Sequence, residues 1–282
     1  FTKDYQESGL KGLWHCDEGT GLNVLDGSGN NNRGTLTNSP AWQSIDGGCW
    51  GTRTDITFNS GSNISFDGVD DYTEATVDGM PSGASPFTIV IWVDSNGAGG
   101  SRIITYGAKP AAAYATVWIG FLDAATYRIT DHSSAAGVNG ASTGNWDCVV
   151  YRCNGTTASL FVNGVDKGSY TPAGAFNITP NKLLMGGSWH SAEYSKVYID
   201  EVRMYNRALS DDEILSYYNR RKYTSGTITV TYGAEETNPG TIYSQWALRR
   251  PVTITNSGAA ISDYQILVPI RVGTLGGQEI KN

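Results

Sequence analysis

The stretch Ser65-Phe66-Asp67-Gly68-Val69-Asp70-Asp71-Tyr72 says more about the fold than any other segment. An alternating apolar run leads into it, and an aromatic residue begins the run that follows. Asp and Gly between the two runs favour the backbone conformations of tight turns, so the stretch predicts two strands joined by a short acidic turn. We interpret Asp67, Asp70 and Asp71 as a solvated turn, with a second ion site as the alternative.

This stretch belongs to an ordered series of similar signals. A Trp-containing run with an acidic glycine turn and an Asn-rich loop precede it, and an apolar strand, a hairpin and an Ile-Asp-Glu strand follow it. The segments are Gly12–Gly21, Asp26–Leu36, Phe87–Val93, Leu160–Val165 and Ile199–Ser210. In content, order and spacing, the series resembles the LamG-like jelly-roll module of the concanavalin A-like lectin/glucanase superfamily, over about residues 9–220.

The resemblance implies an all-β fold for residues 1–222. It would be a concanavalin A-like jelly-roll sandwich of two antiparallel sheets with one short helix, followed by a small C-terminal β segment. Function is implied less closely, because this fold carries lectins, glycosidases, adhesins and structural modules.

Residues 223–282 differ in character. Thr227–Tyr232 alternates like a strand, and Trp246–Val268 resembles the opening of a β domain of unknown function that follows LamG-like modules in microbial surface proteins. Two or three strands cannot bury an adequate core alone. The segment is therefore expected to be an incomplete domain, or a tail that completes its sheet by pairing with another copy of the chain or with another protein.

Composition agrees with an extracellular or cell-surface β protein. The chain has 282 residues, 20 Lys and Arg against 27 Asp and Glu, and a net charge of −7. Nucleic-acid binding is not expected, because phosphate recognition needs clustered cations. No apolar run approaches the roughly 20 residues of a membrane span, so we expect no such span.

The four cysteines are Cys16, Cys49, Cys148 and Cys153. Four cysteines allow three complete pairings, and the spacing does not choose among them. In an extracellular setting we expect disulfides, with small buried thiols as the alternative. No CxxC motif or Cys/His cluster indicates a metal site.

Several local patterns predict turns and loops. Asn163-Gly164 lies between two apolar runs and predicts a type I′ hairpin, because both turn residues need positive φ. Asn154-Gly155 offers a second turn of this kind. The Gly-, Ala- and Ser-rich runs at 94–101 and 133–145 are typical of loops.

One helix is specified by its start signals. Ser210 and Glu213 have the spacing of a capping box, in which each side chain binds the other residue's backbone N–H. Leu209 and Ile214 occupy the hydrophobic-staple positions on either side of this start. The pattern predicts a short helix beginning after Ser210.

The family resemblance implies a structural Ca²⁺ ion. Its ligands would be Asp26, Asn31, the carbonyl of Gly34, and Asp200, since calcium prefers carboxylate, amide and carbonyl oxygens in irregular loops. The alternative is that Asp26 and Asp200 accept hydrogen bonds from turn amides or arginine, with no ion.

Strand alternation bears on Asp200. If the strand is regular, Tyr198, Asp200, Val202 and Met204 share one face, and the two apolar residues indicate that this face is buried. A buried carboxylate needs compensation, which a cation could supply.

Catalysis is not expected. Enzymes of this fold that cleave laminarin place their acids in a Glu-x-Asp-x-x-Glu run, and the chain has none. Retaining glycosidases need two carboxylates about 5–5.5 Å apart. Asp200 and Glu201 are adjacent, so on a regular strand they point to opposite faces.

Carbohydrate binding is the favoured function. The loop 186–194 contains Trp189, His190 and Tyr194 among polar residues. Aromatic rings are suited to stack on sugars, so this loop is the first candidate for the binding site. The region of Trp42 and Trp50 is the second-choice binding region. Alternatively, Trp189 covers the rim of the sandwich. We expect four other tryptophans to be core residues: Trp14, Trp92, Trp118 and Trp146.

For the whole chain the sequence leaves two functions open. The first is a non-catalytic carbohydrate-binding or adhesion module of a microbial surface protein, with a glycan or cell-surface polysaccharide as partner. The second is a structural subunit of a fibre, appendage or surface layer, assembled through residues 223–282.

Overall fold

The computed structural model describes residues 7–44, 62–76, 78–95, 101–108, 111–132, 136–180, 182–189 and 193–221, and four short strands between residues 228 and 256. The chain divides into two compact units, Phe1–Tyr223 and Thr224–Asn282. This division falls one residue from the boundary that the sequence suggested at 222.

The first unit contains sixteen described strands and one described helix. They are β1 (Leu10–Trp14), β2 (Asn23–Val24), β3 (Gly34–Thr37), β4 (Ala41–Ser44), β5 (Ser62–Asp67), β6 (Tyr72–Ala75), β7 (Phe87–Asp94), β8 (Arg102–Gly107), β9 (Thr116–Asp123), β10 (Thr126–Asp131), β11 (Val138–Ala141), β12 (Trp146–Cys153), β13 (Ala158–Val162), β14 (Val165–Tyr170), β15 (Lys182–Met185), β16 (Lys196–Tyr205) and α1 (Asp211–Arg221).

Two antiparallel sheets form the sandwich. The first sheet has the order β14-β13-β12-β7-β16-β5-β4, and β1 also pairs with β16. The second sheet has the order β11-β10-β9-β8-β15-β6-β3-β2. The prediction of an all-β sandwich with a short helix is confirmed, and the 65–72 stretch forms the end of β5, a tight turn and the start of β6.

The apolar run of β7 is buried on both of its faces. Ile89, Ile91 and Val93 point into the core between the sheets. Val90 and Trp92 point outward into a second cluster beneath the helix. Burial on both faces explains why this strand is almost continuously apolar instead of alternating.

Helix α1 covers the outer face of the first sheet. Leu209, Ile214 and Tyr217 are buried in the cluster that contains Val90 and Trp92. The predicted capping box is present: Glu213 N donates to Ser210 Oγ over 3.2 Å, and Ser210 N donates to Glu213 Oε2 over 2.8 Å.

One of the two predicted tight hairpins is confirmed. Asn163 and Gly164 have φ values of 55° and 77°, and they join β13 to β14 directly after the Val162–Val165 pair. The turn at Asn154 is different from the prediction. It spans four residues, 154–157, between the paired Cys153 and Ala158, and Asn154 Oδ1 accepts bonds from the backbone N–H groups of residues 156 and 157.

The loop predicted at 133–145 contains a strand. β11 (Val138–Ala141) forms the edge of the second sheet beside β10. Its alternating burial, with Val138 and Gly140 inward, follows the pattern of a sheet edge. The small residues of the run mask this pattern, because Gly and Ala have low strand propensity.

The disulfide prediction is not fulfilled among the described cysteines. Cys16, Cys148 and Cys153 are free and buried, whereas Cys49 lies outside the described residues. Each of the three complete pairings requires a bond between two of these three residues. Cys148 lies in the outer cluster and Cys153 in the core, on opposite faces of β12. The alternative of buried thiols therefore describes them.

In the second unit, the described strands form two antiparallel pairs. β17 (Ile228–Tyr232) pairs with β20 (Val252–Asn256), and β18 (Glu236–Thr237) pairs with β19 (Leu248–Arg249). The strand predicted within 227–232 is thus present.

Candidate functional site

The loop that follows β15 is held against β8 at both of its ends. Gly186 N donates to Ile103 O over 2.7 Å, and Ser195 N donates back to Gly186 O over 2.9 Å. Thr105 Oγ1 donates to Gly187 O over 3.0 Å, and Ser195 Oγ donates to Arg102 O over 2.7 Å. These bonds hold Gly186, Gly187 and Ser195, at the two described ends of the loop 186–195, beside the second sheet.

The aromatic residues of this loop are partly exposed. Tyr194 packs on Gly187, where a Cβ atom would lie 2.7 Å from Tyr194 Cδ1, and it stacks on Tyr72 with ring centroids 6.4 Å apart. Trp189 is half-buried. His190 lies outside the described residues. The loop therefore brings Tyr194 next to Tyr72 of the 65–72 stretch. Trp189 lies in the same loop as Tyr194.

Arg102 links this loop to the sheet. Its guanidinium Cζ lies 3.3 Å from the ring centroid of Trp118, and its Nε lies 3.1 Å from Glu193 Oε2. Burial lowers the pKa of Arg102; Glu193 opposes this effect, and the nearby Arg128 reinforces it. The side chain stays charged, because arginine titrates far above neutral pH.

Cross-strand pairing defines the rest of the face. Arg102 lies opposite Gly120, and Gly120 lies opposite Arg128 on the far side. Trp118, two residues before Gly120 on β9, is flanked by Thr105 and Thr130 in the same way. We call the residues Arg102, Thr105, Trp118, Gly120, Arg128 and Glu193 the Arg102 face.

Sequence reasoning missed this face. Three of the four tryptophans expected in the core are buried: Trp14 in the main core, Trp92 in the cluster under the helix, and Trp118 beneath Arg102. Trp146 is only partly buried, against the cluster under the helix. Alternation through the run Thr116–Asp123 was the signal that could have placed Trp118 and Gly120 on the same outer face.

The second-choice binding region is half described. Trp42 is partly buried against the core, and its Nε1 donates to Gly21 O over 2.8 Å. Trp50 lies outside the described residues.

Asp26 is satisfied by protein donors. Its Oδ1 accepts from Leu13 N and Ser28 N, both over 2.9 Å. Its Oδ2 accepts from Ser28 Oγ and Asn32 N, both over 2.8 Å. This is the arrangement foreseen in the ion-free alternative, since four donors occupy the carboxylate.

The other two ligands that the sequence predicted in this loop differ in exposure: Asn31 is exposed, whereas Gly34 is buried. Asn31 is exposed with φ of 60°, and its neighbour Asn32 is the buried amide of the loop. Gly34 is buried in β3, where it pairs with Val24 and Ala75. The loop is therefore ordered around Asn32 and Asp26 by hydrogen bonds.

A β-bulge overturns the alternation argument for Asp200. Ile199 pairs with Val93, but the next paired residue is Val202, opposite Ile91. Asp200 and Glu201 together face one residue of β7, so Ile199 and Val202 both point into the core. Tyr198 and Val202 do not share a face, and the opposite-face argument for Asp200 and Glu201 does not hold at a bulge.

Asp200 lies among other oxygen-bearing residues. It is 4 % exposed, and the Ile199–Ile64 pair places it beside Asn63 on β5. Among the described residues, Asn63 Oδ1 and Glu18 Oε2 are buried without a hydrogen-bond partner. Gly19 approaches Ser62 Oγ closely, which brings the turn of Glu18 to the start of β5. Burial raises the pKa of Glu18.

Glu201 belongs to a buried network on the outer face of the first sheet. Its Oε1 accepts from Arg203 Nε over 2.6 Å and from Tyr217 OH over 2.5 Å, and its Oε2 lies 3.2 Å from His15 Nδ1. Arg203 Nη1 also donates to Glu7 Oε1 over 2.7 Å. Burial alone would lower the pKa of Arg203, but the Glu201 carboxylate outweighs it and raises the value.

Residues 67–215 match the family Laminin_G_3, described as the concanavalin A-like lectin/glucanases superfamily. The match covers just over half of the chain, and the chain belongs to this family. It stops short of residues 223–282, so the β domain expected there gains no support. Comparison with curated proteins found no match. No helix in the described part of the chain has the length and apolar character needed to cross a membrane.

Similar solved structures share the fold. One is domain 4 of an extracellular GH43 arabinanase from Geobacillus stearothermophilus, in complex with arabinotriose: identity is 20%, the TM-score is 0.52, and the alignment covers 74% of this chain and 98% of that one. A structure of botulinum neurotoxin type C, whose cell entry depends on two ganglioside molecules, has 15% identity and a TM-score of 0.55 over 77% of this chain and 52% of that one.

A third similar structure is the Trypanosoma rangeli sialidase in complex with sialic acid. It has 17% identity and a TM-score of 0.54, over 74% of this chain and 32% of that one. This chain thus spans about half of the toxin chain and a third of the sialidase. At these identities the likeness establishes the fold alone.

Proposed function

We propose that residues 1–222 form a non-catalytic, extracellular carbohydrate-binding module that binds saccharide on the outer face of the second sheet. The observation that carries the proposal is the ordered meeting of aromatic and polar side chains there. Tyr194 stacks on Tyr72, and Glu193 in the same loop pairs with Arg102. Partly exposed rings beside fixed polar groups are the usual means by which proteins hold a ligand of mixed polarity.

The similar structures favour a saccharide as the ligand. The arabinanase domain is in complex with arabinotriose, the toxin interacts with gangliosides, and the sialidase is in complex with sialic acid. In this proposal the protein acts as a carbohydrate-binding or adhesion module of a microbial surface protein. An extracellular location agrees with that of the arabinanase, which is itself an extracellular enzyme.

The state of two carboxylates, one buried and one partly exposed, supports binding without catalysis. Glu201 is occupied by Arg203 and Tyr217, and Glu193 is paired with Arg102. A glycosidase acid must be able to donate a proton to the leaving oxygen, and a carboxylate held by a guanidinium is poorly suited to do so.

Calcium remains our proposal for a structural ion, with a revised set of ligands. Because Asp26 is fully occupied, Asp200 with the unpartnered oxygens of Asn63 and Glu18 fits a hard cation better. These are the oxygen donors that Ca²⁺ prefers, and the ion would relieve the cost of burying them. Asn31 and Gly34 are not part of this revised set.

The proposed function can be tested with a glycan array followed by calorimetry on the full chain. Trp189→Ala and Tyr194→Ala are expected to lower affinity for the selected glycan about tenfold, because each removes a ring whose contacts contribute on the order of 1 kcal/mol beyond the area they bury. Tyr198→Ala, on the first sheet, is the matched control. Loss of binding in Trp42→Ala but not in Tyr194→Ala would place the site in the second-choice region, and no glycan bound at all would refute the function.

Assembly through residues 223–282 is our second proposal. The paired β17 and β20 support it, since a two-stranded ribbon gains stability when further strands join its edges. Light scattering on the full chain and on residues 1–222 tests it. Oligomers that vanish on truncation support assembly, whereas monomers in both cases contradict it.

A further inference from the structure

One cross-strand row of the first sheet lies directly beside the cluster that α1 covers. Trp92 and Cys148 are paired across β7 and β12, and both are buried in that cluster. Two residues further along each strand, Asp94 pairs with Trp146. On its other side, Asp94 pairs with Tyr198 of β16. Trp146, Asp94 and Tyr198 are all partly exposed, and we call them the Asp94 row.

The Asp94 row lies on the outer face of the sheet. The residues next to Asp94 and Tyr198 along their strands belong to the core between the sheets: Val93, Val197 and Ile199. Strand alternation therefore places Asp94 and Tyr198 on the opposite face. Trp146 is on that face too, because it packs against the cluster under the helix. The bulge of β16 begins only after Ile199, so it leaves the facing of Tyr198 unchanged.

Strand pairing puts the carboxylate of Asp94 between two aromatic residues. Directly opposed residues of antiparallel strands have Cβ atoms about 4.5–5.5 Å apart, so Trp146 and Tyr198 each leave the sheet about 5 Å from Asp94, on opposite sides. Aromatic rings attract cations within about 6 Å of the ring centroid. A cation that pairs with this carboxylate is therefore within reach of an aromatic side chain on either side.

The surroundings of the row are acidic. Beside the Tyr198–Ser65 pair, Asp67 at the end of β5 pairs with Lys196. The turn that follows holds the carboxylates of Asp67, Asp70 and Asp71 within 4.8 Å of one another. The whole chain also has a net charge of −7. A negative local field attracts cationic ligands and repels anionic ones.

We propose that the Asp94 row binds a primary ammonium group, which donates to the Asp94 carboxylate between Trp146 and Tyr198. The group would be carried by an amino sugar or by a lysine side chain. This site is separate from the saccharide site proposed on the second sheet. Charge-assisted hydrogen bonds are stronger than neutral ones, and aromatic side chains add attraction for the same cation. A neutral sugar would gain only stacking here, so the acidic surroundings favour the cation.

The test compares matched ligands by calorimetry on the full chain, at mildly acidic pH so that the amines carry a proton. One pair is a β-1,4-linked glucosamine tetramer and its fully N-acetylated form. The other is an end-blocked Gly-Lys-Gly peptide and the same peptide with an acetylated lysine. The charged member of at least one pair is expected to bind about tenfold more tightly, and the difference should shrink as salt rises. Which pair responds distinguishes an amino sugar from a lysine side chain.

Three variants test the residues of the row. Asp94→Asn keeps the shape and an acceptor but removes the charge, so it should abolish the preference for the charged member. Tyr198→Leu removes a ring and should weaken binding of the charged member about threefold. Asp166→Asn, an exposed carboxylate on β14 outside this row, is the control and should bind like the unaltered chain. Thermal melts check that each variant is folded.

Equal binding of the charged and acetylated members in both pairs would overturn the inference. So would a preference that folded Asp94→Asn retains, or binding of the charged member that folded Tyr198→Leu leaves unchanged. The proposed function fails separately: binding of neutral glycans that Tyr194→Ala abolishes would uphold it even when the ammonium preference is absent.

Discussion

The two sheets of the sandwich treat their outer faces differently. Outside the first sheet, α1 seals an apolar cluster that includes Val90 and Trp92, and the charges beneath it are neutralised in the Glu201–Arg203 network. Outside the second sheet, the Arg102 face carries cations and an aromatic loop that remain partly in contact with solvent. One face is covered by the helix, and the other carries charged and aromatic side chains that are partly exposed.

The difference between the two faces predicts that charges beneath the helix on the first sheet affect stability and that charges on the second sheet affect ligand binding. Glu201 and Arg203 on the first face are almost fully buried, and the groups that bind them come from three segments of the chain. Removing one partner there leaves an uncompensated buried charge, which is costly. Charges on the second face are partly hydrated, so their loss should affect ligand affinity more than folding.

The largest effect is expected from Arg203→Leu. The change leaves the buried carboxylate of Glu201 without its cation, and it should lower the free energy of unfolding by about 3–5 kcal/mol. Urea denaturation of the variant measures this loss. Arg207→Gln, which breaks the more exposed pair with Glu213, is the control and should cost no more than about 1 kcal/mol. Similar losses in both variants would contradict the contrast between buried and exposed pairs.

Binding of Ca²⁺ should stabilise the protein through residues at the first sheet and not through the Asp26 loop. If Asp200, Asn63 and Glu18 hold the ion, saturating Ca²⁺ should stabilise the protein by about 3 kcal/mol at a hundredfold excess over Kd, and EDTA should remove this gain. Asp200→Asn should lose the response, whereas Asp26→Asn should keep it. A response that depends on Asp26 instead would restore the ligand set implied by the family resemblance. Melting temperatures with and without the ion give the answer.

Gly187→Ala tests the second face with a smaller change. The new Cβ would lie 2.7 Å from Tyr194 Cδ1, so the ring must move. Because that ring is partly exposed, the cost in stability should be near the lower end of the 1–3 kcal/mol range for overpacking, about 1 kcal/mol. Glycan affinity should fall as much as in Tyr194→Ala. Unchanged affinity would show that the position of this ring does not matter.

The smallest effect is a pH dependence at the start of α1. Hydrogen bonds from Arg207 lower the pKa of Glu213 from its ordinary 4.5 to about 2, with a further contribution from Ser210. A depressed folded-state pKa stabilises the protein above pH 4.5, and this contribution is lost as pH falls toward 2. Since the pair is partly exposed, it should contribute at most about 1 kcal/mol. Glu213→Gln should flatten this part of the urea-derived stability curve, and an unaltered curve would assign the pH dependence to other groups.

Local patterns in the sequence were sufficient where structure depends on near neighbours. The Asn163-Gly164 hairpin and the Ser210–Glu213 capping box follow from backbone preferences and from bonds that span a few residues. The apolar run of β7 was sufficient to predict a strand. The ordered series of motifs around the 65–72 stretch was sufficient to predict the family, and the family implies the sandwich fold.

Patterns that depend on regular alternation were less reliable. The bulge between Ile199 and Val202 shifts the alternation by one residue, so the residues before it point to the opposite face from the one that regular alternation predicts. No residue type in that run indicates a bulge. The argument that linked Asp200 to the buried face failed for this reason. The strand β11 was likewise hidden, because its small residues carry little strand propensity.

The chain's residues alone determine an antiparallel sandwich with one capped helix, because turn chemistry and hydrophobic periodicity act over short distances. Tertiary structure decided which outer face would be sealed and which would stay open. It also brought Arg102 over Trp118 and into one row with Gly120 and Arg128, by pairing strands from three separate segments. Such contacts depend on register between strands, and register is settled only when the whole core packs.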